Sequence, residues 1–144
     1  MTKSIRDVLK NKGSKVISIS ADETVYKALE LMASENIGAL LVMEGEQVVG
    51  IVSEREYARK VILEGRSSLK TDVRKIMVTK VLYITPEMSV EEGLALMSDK
   101  RCRHLPVLED NKLIGMVSIG DLVKAHVAEK NFMIDQLEHY ILGS

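Results

Sequence analysis

Apolar residues recur along this chain with two periods, and the same order of periods appears twice. Val25, Ala28, Leu29 and Met32 stand at i, i+3, i+4 and i+7, the spacing of one buried helix face. Val90, Gly93, Leu94 and Met97 repeat it. Short apolar runs, Val16 to Ile19 and Val81 to Ile84, precede these helices and predict strands; Pro86 follows the second. Two further runs come after each helix: Ala39 to Met43 and Gln47 to Val52 around Glu44-Gly45-Glu46, then Leu105 to Leu108 and Leu113 to Val117 around Glu109-Asp110-Asn111. Short connectors carrying Gly or Asn between apolar runs indicate hairpins. A second helix then begins near Ser53 and near Ser118, residues suited to an N-cap.

The two copies align without a gap from Val16 to Tyr57. Gly50-Ile51-Val52-Ser53 falls on Gly115-Met116-Val117-Ser118 at a shift of 65 positions. The order is strand, helix, strand, strand, helix, twice over. Neither copy alone has the residues for a secure core, so the two are expected to pack face to face about an approximate two-fold axis. The expected organisation is a first repeat over residues 1–66, a second over 67–129 and an amphipathic C-terminal helix over 130–144. That last stripe consists of Met133, Ile134, Leu137, Tyr140 and Ile141. Ser4-Ile5-Arg6-Asp7 reads as a capped N-terminal turn, and Thr71-Asp72-Val73-Arg74 as its repetition.

Composition narrows the function. Lys and Arg number 20 against 21 Asp and Glu, for a net charge of −1, and the aromatics are Phe132 and four tyrosines. Such a balance argues against a nucleic-acid binder, which usually presents a basic face. A single Cys102 excludes an internal disulfide framework. The N-terminal stretch has no apolar run of signal-peptide type, and no stretch approaches the roughly 18 residues of a membrane span. A cytoplasmic protein without membrane contact is the expectation.

Two constellations could carry chemistry. Each copy places a hydroxyl three residues before a carboxylate where strand gives way to helix: Ser53 with Glu56, and Ser118 with Asp121. This is the pattern of a capping box. It also sits where helix amides favour phosphate, and a carboxylate is a natural acceptor for the two hydroxyls of a ribose. The second constellation, Arg101-Cys102-Arg103-His104-Leu105-Pro106, has the uncharged counterpart Asn36-Ile37-Gly38-Ala39-Leu40-Leu41. Strand alternation sets Arg101, Arg103 and Leu105 on one face and Cys102, His104 and Pro106 on the other. Anion binding and a solvated rim both remain open for it. Catalytic candidates are thin: Cys102 and His104 lack a third orienting group, His104, His126 and His139 lack metal-ligand spacing, and there is no phosphate-binding P-loop sequence.

The tandem units, with Arg-His-Leu-Pro-Val, Gly-Met-Val-Ser-Ile-Gly-Asp and Gly-Ile-Val-Ser-Glu-Arg-Glu in these places, resemble a pair of CBS (cystathionine beta-synthase) domains, the Bateman module. The resemblance implies an α/β (α+β) fold and a non-catalytic regulatory protein with no required cofactor. It implies an adenosine-containing ligand, AMP, ADP, ATP, NAD(H), S-adenosylmethionine or a cyclic dinucleotide, in clefts between the repeats. Carried over by position, Ser118 and Asp121 would hold ribose and phosphate in one cleft with Ile37, Gly38 and Ala39 along adenine. Ser53 and Glu56 would do so in the other, facing Arg103 and His104, with Ile17, Ser18, Arg55 and Pro106 lining the sites. Glu56 departs from the usual Asp. The resemblance further implies a homodimer, and a regulated protein partner is possible within it. The alternative reading is an interaction module with degenerate clefts that acts through its C-terminal helix.

Overall fold

The computed structural model of the chain describes residues 3–13 and 15–142, and within them two compact units, each a mixed α+β structure. The first unit spans Val16–Val81. It contains β1 (Ser18–Ser20), α2 (Val25–Glu35), β2 (Ala39–Glu44), β3 (Gln47–Ser53) and the short helix α3 (Glu54–Tyr57), which runs on as a π-helical turn over Ala58–Ile62. β1 pairs parallel with β2, and β2 antiparallel with β3. Helix α2 starts on Thr24, whose hydroxyl accepts from the Lys27 amide at 3.2 Å, and buries Val25, Ala28 and Met32. Those side chains join Ile19, Leu40, Val42, Val52, Val73 and Ile76 in one core.

The second unit joins the segment before residue 16 to the chain from Leu82 onward. Its elements are α1 (Ile5–Lys12), α4 (Val90–Lys100), β4 (His104–Glu109), β5 (Lys112–Ser118) and α5 (Ile119–Leu142). Ile5, Val8 and Leu9 of α1 pack with Val90, Met97, Leu105, Val107, Val117 and Leu122. The hairpin β4–β5 repeats the register of β2–β3 position for position, including the irregularity at Val107/Leu108 that answers Val42/Met43. Asp110 and Asn111 both hold positive φ (51° and 63°) in its turn, as a two-residue hairpin of the twist-matched type demands.

Four sequence expectations change. The strand expected over Val81 to Ile84 reduces to one parallel bridge, Ile84 to Val107. In the first unit the Ala21 amide donates to the Met43 carbonyl at 3.1 Å; Pro86 stands at the equivalent position and has no N–H to give. Arg101 does not lie in a strand. It caps α4 in the left-handed region (φ 54°), as Asn36 caps α2 (φ 55°), and the chain becomes extended only at His104. The stripe Met133, Ile134, Leu137 and Tyr140 belongs to α5 itself, a continuous 24-residue helix through residue 130; the Ile141 side chain lies outside the described residues.

The fourth change concerns the segments that precede each repeat. Val73 and Arg74 donate their amides to the carbonyls of Glu23 and Ala21, while Ile5 and Arg6 donate theirs to Met88 and Pro86. Val25 N–H reaches the Thr71 carbonyl, as Val90 N–H reaches Lys3. Residues 3–6 therefore do for the later repeat what residues 71–74 do for the earlier one, at a shift of 68 rather than 65, so Ser4 answers Asp72. The capped turn forms at Ser4, which exchanges bonds with Asp7, but Asp72 makes no side-chain cap. By packing, α1 sides with the chain after Leu82 although it precedes the first repeat in sequence, and residues 71–78 side with Val16–Val81.

The same docking explains two glycines. A Cβ on Gly50 would lie 2.9 Å from the Val78 carbonyl oxygen and 2.8 Å from Met77 Sδ. One on Gly115 would meet Leu9 Cδ2 at 2.7 Å. Each docking segment crosses its hairpin where no side chain stands.

Candidate functional site

Each unit gathers its own set of the candidate residues at the junction of hairpin and following helix. In the second unit, strand pairing sets His104 directly opposite Ser118, and the Arg103 carbonyl accepts the Ile119 amide at 2.8 Å. Ser118 and Asp121 form a full capping box: Asp121 N–H donates to Ser118 Oγ at 3.1 Å, and Ser118 N–H donates to Asp121 Oδ2 at 2.8 Å. The carboxylate thus stands at the N-terminus of α5, favoured there by the helix dipole. Lys12, in the last turn of α1, donates Nζ to the same Oδ2 at 2.5 Å and to the Met116 carbonyl at 2.9 Å. Burial pushes the Asp121 carboxyl up, but Lys12 and the bonds from Ser118 outweigh it, and the group sits below the ordinary carboxylate value.

The first unit builds the equivalent junction with different bonds. Ala39 pairs with Ser53, and the Gly38 carbonyl accepts the Glu54 amide at 3.1 Å. Ser53 makes no side-chain cap. Its hydroxyl instead donates to Glu56 Oε1 at 2.6 Å, so the longer acid bonds the serine side chain where Asp121 bonds the serine backbone. Beside this junction a cavity of about 310 Å³ opens, lined by Leu29, Met32, Ala33, Asn36, Ile37, Gly38 and Glu54. Aliphatic side chains and polar groups, Asn36 and Glu54 among them, share its lining, so it offers both packing surface and hydrogen-bond partners to a small molecule.

The remaining candidates are distributed along these elements. Ile17 packs against the first core, and Ser18 is exposed where β1 begins opposite Leu41. Arg55 is exposed on α3, and Arg103 on the turn before β4. Pro106 is buried, and its carbonyl receives the Ile84 amide at 3.0 Å. Burial raises the Cys102 thiol, the opposite of what a thiolate nucleophile needs. Among the described residues no group of three or more His, Cys, Asp or Glu could hold a metal ion, and no helix is long and apolar enough to cross a membrane.

Charge clamps are the feature that sequence reading passed over. Arg6 pairs with Glu87 (3.1 Å) and with Glu109; Arg74 pairs with Asp22 (3.0 Å) and with Glu44. Asp22 and Glu87, and likewise Glu44 and Glu109, occupy equivalent places at the 65-residue shift. The signal was present as Ile5-Arg6 against Val73-Arg74, but only at the shift of 68 that the docking segments follow.

The fold and these junctions coincide with a known domain. The CBS domain profile matches residues 4–62 and 73–128. A CBS domain-containing protein of Arabidopsis thaliana, CBSX3, mitochondrial, is 45% identical over 96% of this chain and 72% of its own length. The CBS domain-containing protein YhcV of Bacillus subtilis is 33% identical over 76% of this chain and 77% of its own. Among solved structures, a putative signal-transduction protein with CBS domains from Burkholderia ambifaria superposes with a TM-score of 0.85 at 48% identity, covering 88% of this chain and 95% of that one. The shared order of elements, the two matched repeats and these likenesses together establish that the chain belongs to the CBS-domain family, as a tandem pair of CBS repeats.

Proposed function

We propose that this protein is a non-catalytic sensor that binds an adenosine-containing nucleotide, with AMP, ADP or ATP foremost and NAD(H) or S-adenosylmethionine as further members of the class. The observation that carries the proposal is the junction at Asp121. A carboxylate held ionised at a helix N-terminus is suited to accept the hydroxyls of a ribose; His104 lies opposite Ser118 in the paired strand, and Arg103 sits on the turn just before it. Within the first unit, the cavity lined in part by Ile37 and Gly38 offers aliphatic and backbone surface of the kind an adenine ring packs against. The thin set of catalytic candidates supports a regulatory rather than an enzymatic role.

Hydrogen bonds from a ribose to a charged carboxylate are worth about 1.5 to 3 kcal/mol, so Asp121→Ala should weaken AMP binding roughly ten- to a hundredfold in isothermal titration. Unchanged affinity refutes the role of Asp121. A thermal-shift panel of AMP, ATP, NADH, S-adenosylmethionine and cyclic dinucleotides tests the class as a whole, because ligand at a hundred times its dissociation constant adds about 2.7 kcal/mol of stability.

A second reading is an interaction module, favoured by one observation: Val123, Val127, Ile134 and Leu137 of α5 remain about half exposed, an apolar stripe suited to a second copy of the chain or to another protein. Silence across the nucleotide panel together with a dimer in sedimentation would favour it.

A further inference from the structure

The two serine-acid junctions differ in what holds the acid, and the difference bears on ligand access. Glu56 takes its bond from a neutral hydroxyl. Asp121 is held by a cation that arrives from the far end of the chain, Lys12, separated from it by 109 positions. We propose that Lys12 is an internal counter-ion that closes Asp121 to a ligand diol, so that a nucleotide engages this carboxylate only when the last turn of α1 lets go. The inference rests on the reading of Asp121 as the ribose acceptor.

The geometry supplies the reason. Asp121 Oδ2 already receives the Ser118 amide at 2.8 Å and Lys12 Nζ at 2.5 Å, which fills the two lone-pair positions of one carboxylate oxygen. A vicinal diol that donates one hydroxyl to each oxygen therefore finds Oδ2 already spent. The amide of Ser118 belongs to the helix cap and cannot leave without opening α5, so Lys12 is the donor that must yield.

Lys12 is well anchored for such a role. Its ammonium also donates to the Met116 carbonyl on β5, two residues before Ser118. Leu9, one turn earlier on α1, packs over Gly115 in the same strand. The pair is only partly screened from water, with the Lys12 and Asp121 side chains 35% and 25% exposed, so exchange of the ammonium for a ligand hydroxyl needs no rearrangement of the core. Gly13, with φ 91°, follows directly.

Adenosine is the probe of choice, since it offers the diol and no phosphate. Lys12→Met should tighten adenosine roughly five- to tenfold in isothermal titration, the loss of one part-exposed charge-assisted bond, whereas Lys12→Arg, which keeps the charge, should bind as the parent does. The gain should vanish in the Asp121→Ala background, because the effect runs through that carboxylate. A Lys12→Met chain that binds adenosine no more tightly than the parent overturns the proposal while leaving the nucleotide reading intact. So does a gain that persists without Asp121. Weaker AMP binding with adenosine unchanged would make Lys12 a phosphate contact instead. Adenosine that binds neither the parent nor Lys12→Met removes the reading of Asp121, and the counter-ion role with it.

Discussion

Gly50 and Gly115 occupy the same place in the two hairpins, yet the structure predicts unequal costs for Gly50→Ala and Gly115→Ala. At Gly50 the added methyl meets the Val78 carbonyl oxygen at 2.9 Å, where ordinary contact begins near 3.4 Å, so backbone must retreat by about half an ångström. That backbone is held by two reciprocal bonds, Ile51 N to Val78 O at 3.0 Å and Val78 N to Ile51 O at 2.8 Å. Overpacking of this kind costs about 1–3 kcal/mol, and each backbone bond stretched adds up to about 1 kcal/mol. The stiffer unfolded chain of alanine returns about 0.5–1 kcal/mol. The net expectation is a loss of about 2 kcal/mol. At Gly115 the clash is with Leu9 Cδ2 and Cδ1, the far end of a side chain that can turn, and the net loss should stay below about 1 kcal/mol. Urea unfolding followed by circular dichroism reads the difference: with a slope of about 1–3 kcal/mol/M, Gly50→Ala should lower the midpoint by roughly 1 M and Gly115→Ala by less than half of that. Equal shifts, or a larger one at Gly115, would refute the claim that the Val78 backbone is what Gly50 accommodates.

Ser118→Ala removes a cap bond and should destabilise by about 1 kcal/mol, whereas Ser53→Ala, with no cap bond to lose, should cost less in the same urea assay. Arg101→Gly should raise the thermal midpoint, because a left-handed residue with a Cβ costs about 1–2 kcal/mol that glycine does not incur; a lower midpoint would show that Arg101 makes a compensating contact. Asp7, Glu92, Glu109 and Asp121 are all held below their ordinary values in the folded chain, so they bind fewer protons than in the unfolded chain. Their stabilising contribution is therefore complete at neutral pH and is lost as pH falls through the acid range below about 4. Urea midpoints measured from pH 7 to pH 3 should fall steadily below that point, and Asp121→Asn should flatten the decline; an acid limb unchanged by that substitution would deny Asp121 its share.

Much of the fold was legible because its causes are local. The i, i+3, i+4, i+7 stripes located α2 and α4, whose buried residues are Val25, Ala28 and Met32 in one and Val90, Gly93 and Met97 in the other. Turn residues located both hairpins, and the serine-acid spacing located the starts of α3 and α5. At Arg101 the strand pattern misled, since alternating residue types cannot report that one backbone position turns left-handed to end a helix. At Val81 to Ile84 the apolar run was real, but the missing N–H of Pro86 limited the ladder to one bridge.

By itself, the sequence determined the repeat, the order of elements within it and the pairing of a serine with an acid at each hairpin end, because periodicity and capping act over a few residues. The tertiary structure alone decided that α1 docks on the later repeat, that Arg6 and Arg74 clamp equivalent acids, and that Lys12 rather than solvent meets Asp121. Those contacts join residues that in the last case lie 109 positions apart, and they follow from the packing of Leu9 in one core and of Val73 and Ile76 in the other, which no local pattern encodes.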